Sequence, residues 1–292
     1  MATPALHPAA LSFDIEDWFH PELVRDNVGT TEHRSVVRDG TIAILAALAK
    51  HGKLATFFVL GDVAAEDPDL VRTIAAAGHE IACHGMTHRP LWALDRDSFR
   101  AELRAFRAAI VAALGRDPVR GFRAPTFSLD RRTAWALEVL AEEGFEWDSS
   151  IFPMRVGLYG VHGAPRSIYR PSVSNPARED PHGRLLEFPV TIGGPRISGL
   201  PVAGGFYLRV LPVSIVTATL DRVARRRPIA LYLHPWECVP DLPRVRLSPL
   251  AAFVTYRGLA SVPAKLDRLI ARYPCDTMSR ILERYGRPSP AA

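Results

Sequence analysis

Residues 54–83 read LATFFVLGDVAAEDPDLVRTIAAAGHEIAC. The first seven residues are aromatic or apolar except for one threonine, which is typical of a buried strand. Asp67 is followed by Pro68, which predicts a helix that begins there and ends at Gly78, since glycine favours helix ends. Residues 79–83 return to a short strand. The stretch therefore predicts a strand–helix–strand unit, the repeating element of a parallel sheet.

The same alternation continues through most of the chain. Helices are predicted at 36–50, 99–114, 131–143, 212–226 and near 264–272, and strands at 11–13, 119–122, 145–147, 185–192 and 229–233. Residues 151–184 replace the pattern with Pro, Gly, Ser and Arg, which predicts a long functional loop. We expect one α/β domain with a parallel sheet, closed as a barrel or left open.

Charge, cysteine spacing and apolar runs exclude several classes of protein. The 292 residues carry 36 basic and 31 acidic side chains, and the basic ones are scattered, which argues against a nucleic-acid partner. Three cysteines without Cys-x-x-Cys spacing argue against a disulfide framework and a cysteine zinc site. Because we find neither an export signal nor a transmembrane segment, we expect a cytoplasmic location.

Acids, histidines and an arginine follow the predicted strands at the point where each strand ends. In parallel α/β folds that edge of the sheet carries the active site, because the strand-to-helix loops converge there. The residues are Asp14, Glu16, Asp17, His84, His88, Arg123, Asp148 and His234. Their clustering predicts an enzyme.

Two of these groups predict a metal site. His84 and His88 lie four residues apart around Gly85, so a turn rather than a helix is expected to present both imidazoles. Two histidines and a carboxylate from residues 14–17 leave positions open on a Zn²⁺-type ion for water and substrate. The alternative is a solvated loop whose acids cap a helix.

The settings of Arg123, His234 and His20 give each residue a different interpretation. Arg123 either holds a carboxylate in its ionised form, as a general base requires, or is a surface arginine. His234 follows an apolar strand and is either an acid–base residue or a hydrogen-bonded core histidine. His20 lacks such a setting and is interpreted as a surface residue.

Aromatic residues near these groups predict a sugar-binding groove. Trp18 and Trp236 flank the strand-end groups, and Phe206 and Tyr207 follow two glycines. Aromatic rings stack on the apolar faces of sugars, which favours the groove, whereas the alternative is that these rings belong to the core.

Six segments together resemble the polysaccharide deacetylase family, also called carbohydrate esterase family 4 or the NodB-homology domain. They match its branch found with exopolysaccharide and exosortase gene clusters. In the family's order they are SFDIEDW (12–18), ATFFVLG (55–61), GHEI (78–81), RAPTFS (123–128), DSSIFP (148–153) and HPWE (234–237). The resemblance implies one domain over residues 1–292, a distorted (β/α) barrel. We expect its catalytic core at about 8–240 and a C-terminal helical extension at about 241–292.

The resemblance also implies a role for the base and the metal ligands. Asp14 matches the general base, and Arg123 matches the arginine that holds it. His84 and His88 match the metal-binding histidines, with Zn²⁺ as the expected ion.

A second set of implied roles concerns the acid. His234 matches the general acid, and Asp148 matches the acid that orients it. The backbone N–H of Thr126 is expected to stabilise the oxyanion of the tetrahedral intermediate.

One position departs from the family's pattern. Most members have two adjacent aspartates in the first motif, the second of which binds metal, but residue 15 is isoleucine here. Strand alternation places Asp14 and Glu16 on one face, which favours Glu16 as the third ligand. A turn after Glu16 would instead bring Asp17 inward, so both acids stay candidates.

The implied function is metal-dependent removal of N-acetyl groups from a polysaccharide or its precursor, with an N-acetylated glycan as substrate. A precursor would be reached from the cytoplasm next to the membrane. One alternative is a small-molecule amidase or cyclic imide or ureide hydrolase on the same barrel. Another is a non-catalytic sugar-binding relative. The sequence does not predict the glycan, N- against O-deacetylation, or the oligomeric state.

Overall fold

The computed structural model describes residues 5–28, 33–157, 159–195 and 199–286. The strands within these ranges are β1 (Ala9–Ile15), β2 (Thr56–Val59), β3 (Glu80–Cys83), β4 (Gly121–Phe122), β5 (Trp147–Asp148), β6 (Pro171–Ser172), β7 (Asn175–Glu179), β8 (Leu186–Glu187), β9 (Ile192–Gly193), β10 (Leu200–Pro201), β11 (Ile229–Leu233) and β12 (Cys275–Asp276).

The α-helices of the same ranges alternate with the strands through most of the chain. They are α1 (Glu22–Val28), α2 (Val37–Lys50), α3 (Gly61–Glu66), α4 (Pro68–Ala76), α5 (Arg96–Leu114), α6 (Ala136–Glu142), α7 (Gly205–Val210), α8 (Val213–Ala224), α9 (Pro249–Tyr256), α10 (Val262–Arg272) and α11 (Met278–Tyr285). As expected, Asp67 caps α4 and Pro68 is its first residue.

Eight strands form one parallel sheet in the order β11-β1-β2-β3-β4-β5-β8, with β12 paired to the start of β1. The sheet is curled, because Trp147 from β5 and Ala230 from β11 pack into one apolar cluster with Phe58, although four strands separate β5 from β11. The predicted α/β fold, a distorted barrel with parallel strands, is confirmed.

The strand β1, which pairs with β11, β2 and β12, positions functional side chains by its alternation. Ala9, Leu11, Phe13 and Ile15 belong to the core between sheet and helices, whereas Ala10 faces the inside of the barrel. Because successive side chains point to opposite faces, the even-numbered residues that follow Ala10 point inward as well. The inner face thus changes from apolar to polar toward the carboxyl end of the strand.

The C-terminal region is more structured than the sequence predicts. The expectation of one helix after residue 240 is wrong, because α9, α10 and α11 all lie there and β12 joins the main sheet. Met278 and Ile281 of α11 pack against Ala10 and Phe58 and thus cover the inner face of the barrel. The proposed division at residue 240 stays a prediction.

The loop expected at residues 151–184 contains the antiparallel pair β6 and β7. In the described residues of its first half, the strand pairing is one isolated bridge between Val156 and Tyr159. Short elements such as α1, α3 and α7 were missed because six or seven residues carry too little periodicity to predict a helix. Over the described parts of the chain, we find no helix with the length and apolarity needed to cross a bilayer.

Candidate active site

Two carboxylates from the end of β1 lie side by side inside the barrel mouth. Asp14 is the last inward-facing residue of the strand, and Glu16 follows it on the same face. Their side chains are each 2% exposed, so both charges need partners within the protein. The partners of the two acids differ.

Asp14 is paired with Arg123, which follows β4. The guanidinium Nη1 lies 2.6 Å from Asp14 Oδ1 and also donates to Ser12 Oγ at 2.9 Å. Its Nε and Nη2 donate to the backbone oxygen and the hydroxyl of Ser149, both at 3.0 Å. The centre of the Phe58 ring lies 3.9 Å from the guanidinium carbon. With every side of the cation in contact, Arg123 is a fixed positive charge against Asp14 and not a surface arginine.

Glu16 lies between two imidazoles. Its Oε2 is 2.5 Å from His88 Nε2 and 3.5 Å from His84 Nε2. Burial raises the pKa of Glu16, but the nearby His88 and His234 outweigh it and hold that pKa well below its usual range. The predicted approach of both histidines to a β1 carboxylate is therefore present in the structure.

These three residues fit a divalent cation. One ligand atom from each of Glu16, His84 and His88 lies within 4.8 Å of the others. Among the described residues, no donor reaches the buried Glu16 Oε2 with hydrogen-bond geometry, although both imidazole Nε2 atoms lie near it. His84 Nδ1 lies 2.9 Å from the Arg123 carbonyl oxygen. This contact favours the tautomer with the proton on Nδ1, which leaves a lone pair on Nε2. Two imidazoles and one carboxylate are a donor set that suits Zn²⁺.

Asp17 lies outside this cluster. Its Oδ1 accepts from the backbone N–H groups of Trp18 at 3.2 Å and Val36 at 3.0 Å, next to the start of α2. Of the two acids left open by the sequence, the structure therefore brings Glu16, not Asp17, to the histidines. The strand alternation that places Asp14 and Glu16 on one face is the physical reason.

His234 follows β11 and completes the group. Its Nε2 is 3.5 Å from Glu16 Oε1 and 4.0 Å from Asp14 Oδ2. Its Nδ1 is 3.1 Å from Glu237 Oε2. Burial lowers the pKa of His234, but the three surrounding carboxylates Glu16, Glu237 and Asp14 outweigh it and raise that pKa to about 9. The imidazole is thus set to carry a proton at neutral pH.

The prediction that Asp148 orients His234 is corrected by these contacts. Asp148 Oδ1 accepts from the Ser150 hydroxyl at 2.5 Å, and its carboxyl group shares a hydrogen bond with Glu187. Asp148 thus pairs with Ser150 and Glu187 on its own side of the sheet, and Glu237 is the carboxylate that contacts His234 Nδ1.

A pocket with a volume of 170 Å³ opens onto these groups. Besides the groups already described, Thr126, Trp18, Trp236 and Phe206 line it, as the sequence suggested, while Tyr207 does not. Trp236 stacks on the His234 ring at a centroid distance of 5.2 Å. Trp18 is wholly buried and its indole N–H donates to the Arg34 carbonyl, so it serves the core as well.

Thr126 has backbone φ of 56° within the turn Pro125–Phe127, a conformation that side chains rarely adopt. Such conformations cluster at functional sites, where surrounding structure holds them. Its role as an oxyanion donor stays a prediction.

Sequence reasoning missed three residues near the site: His20, Arg209 and Glu237. His20 is not a surface residue: its ring stacks at 5.8 Å from His88, its Nδ1 accepts from the Asp17 N–H, and burial lowers its pKa to about 4. Glu237 stands three residues after His234, a spacing that brings side chains together in a helical turn and could have been noticed. Arg209 lies in a short helix with no distinguishing pattern.

The fold and site define a class: parallel α/β barrels that carry a His-His-carboxylate cluster, an acid paired with arginine and a further histidine at their strand ends. Residues 9–145 match the family model described as "Polysaccharide deacetylase", and residues 149–283 match one described as "Domain of unknown function (DUF3473)". Over residues 9–145 the chain is therefore similar to the polysaccharide deacetylase family.

The relatives agree with this assignment. A chitooligosaccharide deacetylase from Rhizobium leguminosarum bv. trifolii is 38% identical over 134 residues, which are 45% of this chain and 54% of that protein. The chain thus spans about half the length of the curated relatives it matches.

Two solved structures are similar over nearly the whole chain. The structure of a candidate polysaccharide deacetylase from Mycobacterium smegmatis has 23% identity and a TM-score of 0.64, and the match covers 100% of this chain and 96% of that one. An allantoinase has 14% identity and a TM-score of 0.60, with 97% and 91% covered. These likenesses show the fold.

Proposed function

We propose that this protein is a metal-dependent deacetylase that removes N-acetyl groups from the amino sugars of a polysaccharide or its precursor. One observation carries the proposal: Asp14, Glu16, both histidines of the 84–88 turn and His234 meet at one pocket. The activity of the rhizobial chitooligosaccharide deacetylase, which is 38% identical over its matched part, supports an acetamido sugar as substrate.

The residues of the cluster have the chemistry to hold a metal. His84, His88 and Glu16 would hold a divalent cation such as Zn²⁺, which when bound polarises the acetamide carbonyl and lowers the pKa of water. Glu16 keeps its charge at neutral pH, since neighbouring imidazoles hold its pKa low. Both histidines and Glu16 are buried, which limits competition by bulk water.

Proton movements are assigned to two residues of the cluster, Asp14 and His234, whose Oδ2 and Nε2 atoms lie 4.0 Å apart. Asp14 takes a proton from the attacking water as the oxygen bonds to the acetyl carbon, and Arg123 holds that carboxylate in place at 2.6 Å. His234 then gives the proton on Nε2 to the sugar nitrogen as the C–N bond breaks. The products are a free amine and acetic acid, which gives its remaining proton to solvent water and leaves as acetate.

The pocket walls supply orientation in this proposal. The backbone N–H of Thr126 is assigned to the oxygen that becomes negative during attack. Trp236 and Phe206 provide apolar surfaces for a sugar ring, while Trp18 supports the wall from the core.

Acetate release from N-acetylated chitooligosaccharides is the direct test. Purified protein is incubated with the oligosaccharide, and both acetate and the new amine are quantified beside the metal content. Equal amounts of acetate and amine from zinc-loaded protein are expected. A zinc-loaded, folded protein that binds the oligosaccharide but releases no acetate would instead be the non-catalytic sugar-binding relative.

A small-molecule amidase is the second candidate, and the dimensions of the site are the observation that favours it. The pocket encloses 170 Å³ and its Asp14 and Glu16 are almost completely buried, which suits a compact substrate. Allantoin and cyclic imides are therefore offered in parallel with the oligosaccharide. Hydrolysis of these rings, without acetate release from the sugar, would replace the deacetylase proposal.

A further inference from the structure

Glu237 makes a set of contacts that the resemblance does not account for. Its Oε2 lies 3.0 Å from the backbone N of His234 and 3.1 Å from the ring Nδ1. Its Oε1 accepts from Arg209 Nε at 2.7 Å. The carboxylate therefore spans the histidine on one side and a guanidinium on the other.

Arg209 is in turn fixed by the C-terminal region. Its Nη1 donates to the carbonyl oxygens of Thr255 and Arg257 at 3.1 and 2.9 Å, and its Nη2 donates to that of Val254 at 2.8 Å. Arg209 and Glu237 side chains are each only 1% exposed. The pair holds the end of α9 and the turn after β11 in one hydrogen-bonded unit.

The backbone leaves room for this carboxylate at one glycine. A Cβ atom on Gly205 would lie 1.8 Å from Glu237 Oε2, so even alanine would displace the acid. Gly205, which belongs to the segment that the sequence suggested as part of a sugar groove, thus makes space for Glu237, whereas Gly204 lies against Tyr232.

We propose that Glu237, held by Arg209, is the positioning residue of His234 in this chain, in the place that the resemblance gives to Asp148. The inference rests on the proposed function. A carboxylate at Nδ1 fixes that nitrogen as the protonated one and turns Nε2 toward Asp14 and the substrate. The general acid is thereby oriented by the region after β8, while the base comes from β1.

The test uses the different needs of two leaving groups. The sugar nitrogen must be protonated before it can leave the tetrahedral intermediate of amide hydrolysis. In the hydrolysis of 4-nitrophenyl acetate, 4-nitrophenolate leaves without a proton. For E237Q we expect kcat on the N-acetylated oligosaccharide to fall by on the order of 10- to 100-fold, with KM near wild type. Its melting temperature is expected to fall, because the buried Arg209 loses its charge partner. Its kcat on the ester is expected to stay within about twofold, because no general acid is required.

D148N is the matched control, since Asp148 is equally buried but does not contact His234. It is expected to leave the ratio of amide to ester hydrolysis unchanged. Equal loss of both activities in E237Q, or a selective loss of amide hydrolysis in D148N, would overturn the assignment. Wild-type protein that releases acetate from neither substrate would defeat the proposed function itself.

A second measurement does not need turnover. In ¹⁵N NMR of histidine-labelled protein, the Nδ1 resonance of His234 is expected to move on E237Q substitution, while it stays in place in D148N. An unchanged Nδ1 signal in folded E237Q would contradict the positioning role.

A different observation concerns the surface around the pocket mouth. Leu23 of α1 is 38% exposed, and Leu250 and Phe253 of α9 are 70% and 48% exposed. Phe253 lies 6.1 Å from the ring of Phe206, which lines the pocket, as does Leu23. These residues form an apolar rim that is continuous with the site.

Positive charge lies beside this rim. Residues 239–257 contain Arg244, Arg246 and Arg257 against the single acid Asp241, and all four are exposed. The Arg244 guanidinium packs on the ring of Tyr256 at 4.9 Å, which places it next to α9. Exposed apolar side chains flanked by arginines are the pattern of a surface that binds anionic lipid.

We infer that the rim of Leu23, Leu250 and Phe253 docks on an anionic bilayer surface and turns the pocket mouth toward it. The arginines contribute attraction to lipid phosphates, and the apolar side chains enter the interface. This orientation suits a substrate presented at a membrane surface and does not depend on the chemistry in the pocket.

Vesicle sedimentation tests the docking surface. Wild-type protein is expected to sediment with phosphatidylglycerol-containing vesicles, less with pure phosphatidylcholine, and less at high salt. The variant L250S/F253S is expected to lose at least about tenfold in vesicle affinity, whereas I215S, at a similarly exposed apolar residue of α8, keeps it.

Two outcomes would overturn this inference. One is failure of wild-type protein to bind anionic vesicles, or equal loss in I215S. The other is a concentration-dependent dimer that L250S/F253S abolishes in light scattering, which would assign the rim to a second copy of the chain.

Discussion

Two groups of buried carboxyls lie at strand ends of the same sheet, and their partners are opposite. Asp14 and Glu16 on β1 face cations: Arg123 in one case and imidazoles in the other. Asp148 on β5 and Glu187 on β8 face each other. Burial raises the pKa of Glu187 well above its usual range, whereas the imidazoles hold that of Glu16 well below.

The comparison shows that the position of an acid at a strand end does not determine its chemistry. All four acids stand where an active site is expected in a parallel sheet, but only a carboxylate with a fixed cation stays ionised when it is buried. Glu16, together with His84 and His88, can bind metal, and Asp14 can accept a proton. Burial raises the pKa of both Asp148 and Glu187, and the Ile151 N–H donates to Glu187, which links the segment after β5 to β8.

Removal of the metal ion is expected to have the largest effect on activity. Chelation is expected to abolish acetate release, and added Zn²⁺ to restore it, because the His84, His88 and Glu16 donors stay in place. Circular dichroism of the chelated protein checks that the fold persists. Full activity after metal loss, confirmed by elemental analysis, would favour a metal-free amidase and remove the distinction between the two carboxyl pairs.

Arg123→Met removes the cation from Asp14. We expect a loss of about 3–5 kcal/mol in the free energy of unfolding, because a buried charge is left without its partner. Urea unfolding measures it. The control is Arg120→Met, whose surface pairs with Glu146 and Glu283 are about half exposed and worth about 1 kcal/mol or less. Equal losses in both variants would mean that the Asp14 pair is no stronger than a surface one.

Asp14→Asn keeps the shape of the side chain and removes the base. Acetate release is expected to fall by on the order of 100-fold while zinc content stays at wild-type level. Asp17→Asn is the matched control, since asparagine still accepts hydrogen bonds at the start of α2 and that residue lies outside the cluster. Wild-type activity in Asp14→Asn, or an equal loss in Asp17→Asn, would contradict the assignment of the base.

Much of this architecture was predictable because the sheet repeats a regular pattern. The β11 strand has its predicted bounds, and α2, α4 and α5 were predicted to within a few residues, since each has apolar periodicity and terminal signals. Alternation along β1 already favoured Glu16 over Asp17. The C-terminal helix α9 was missed because its apolar surface is partly exposed and does not follow the pattern of a core helix.

The partners of the strand-end groups were not predictable to the same degree. Every strand-end acid looks alike in the sequence, and the partner depends on which strands are neighbours. The return of β11 beside β1, rather than beside β8, brings His234 to Asp14 and leaves Asp148 with Glu187. Arg209 reaches Glu237 through a helix too short to be predicted.

Glu187→Gln has the smallest expected effect, and it tests whether the β5–β8 carboxyls differ from those of β1. A carboxyl whose pKa is raised in the folded state binds its proton more tightly there than in the unfolded chain. Its contribution to the free energy of unfolding is therefore fully present at pH values below the ordinary carboxyl pKa. That contribution is lost as pH rises through the raised pKa. Glutamine can donate to Asp148 without needing a proton, so the free energy of unfolding of the variant should fall less from acid to neutral pH than that of wild type.

Urea unfolding across that pH range measures the difference, with Glu146→Gln as a surface control whose profile should follow wild type. Identical pH profiles in Glu187→Gln and wild type would mean that Glu187 does not hold its proton more tightly in the folded state. The contrast with Glu16, whose pKa the imidazoles lower although burial raises it, would then be lost.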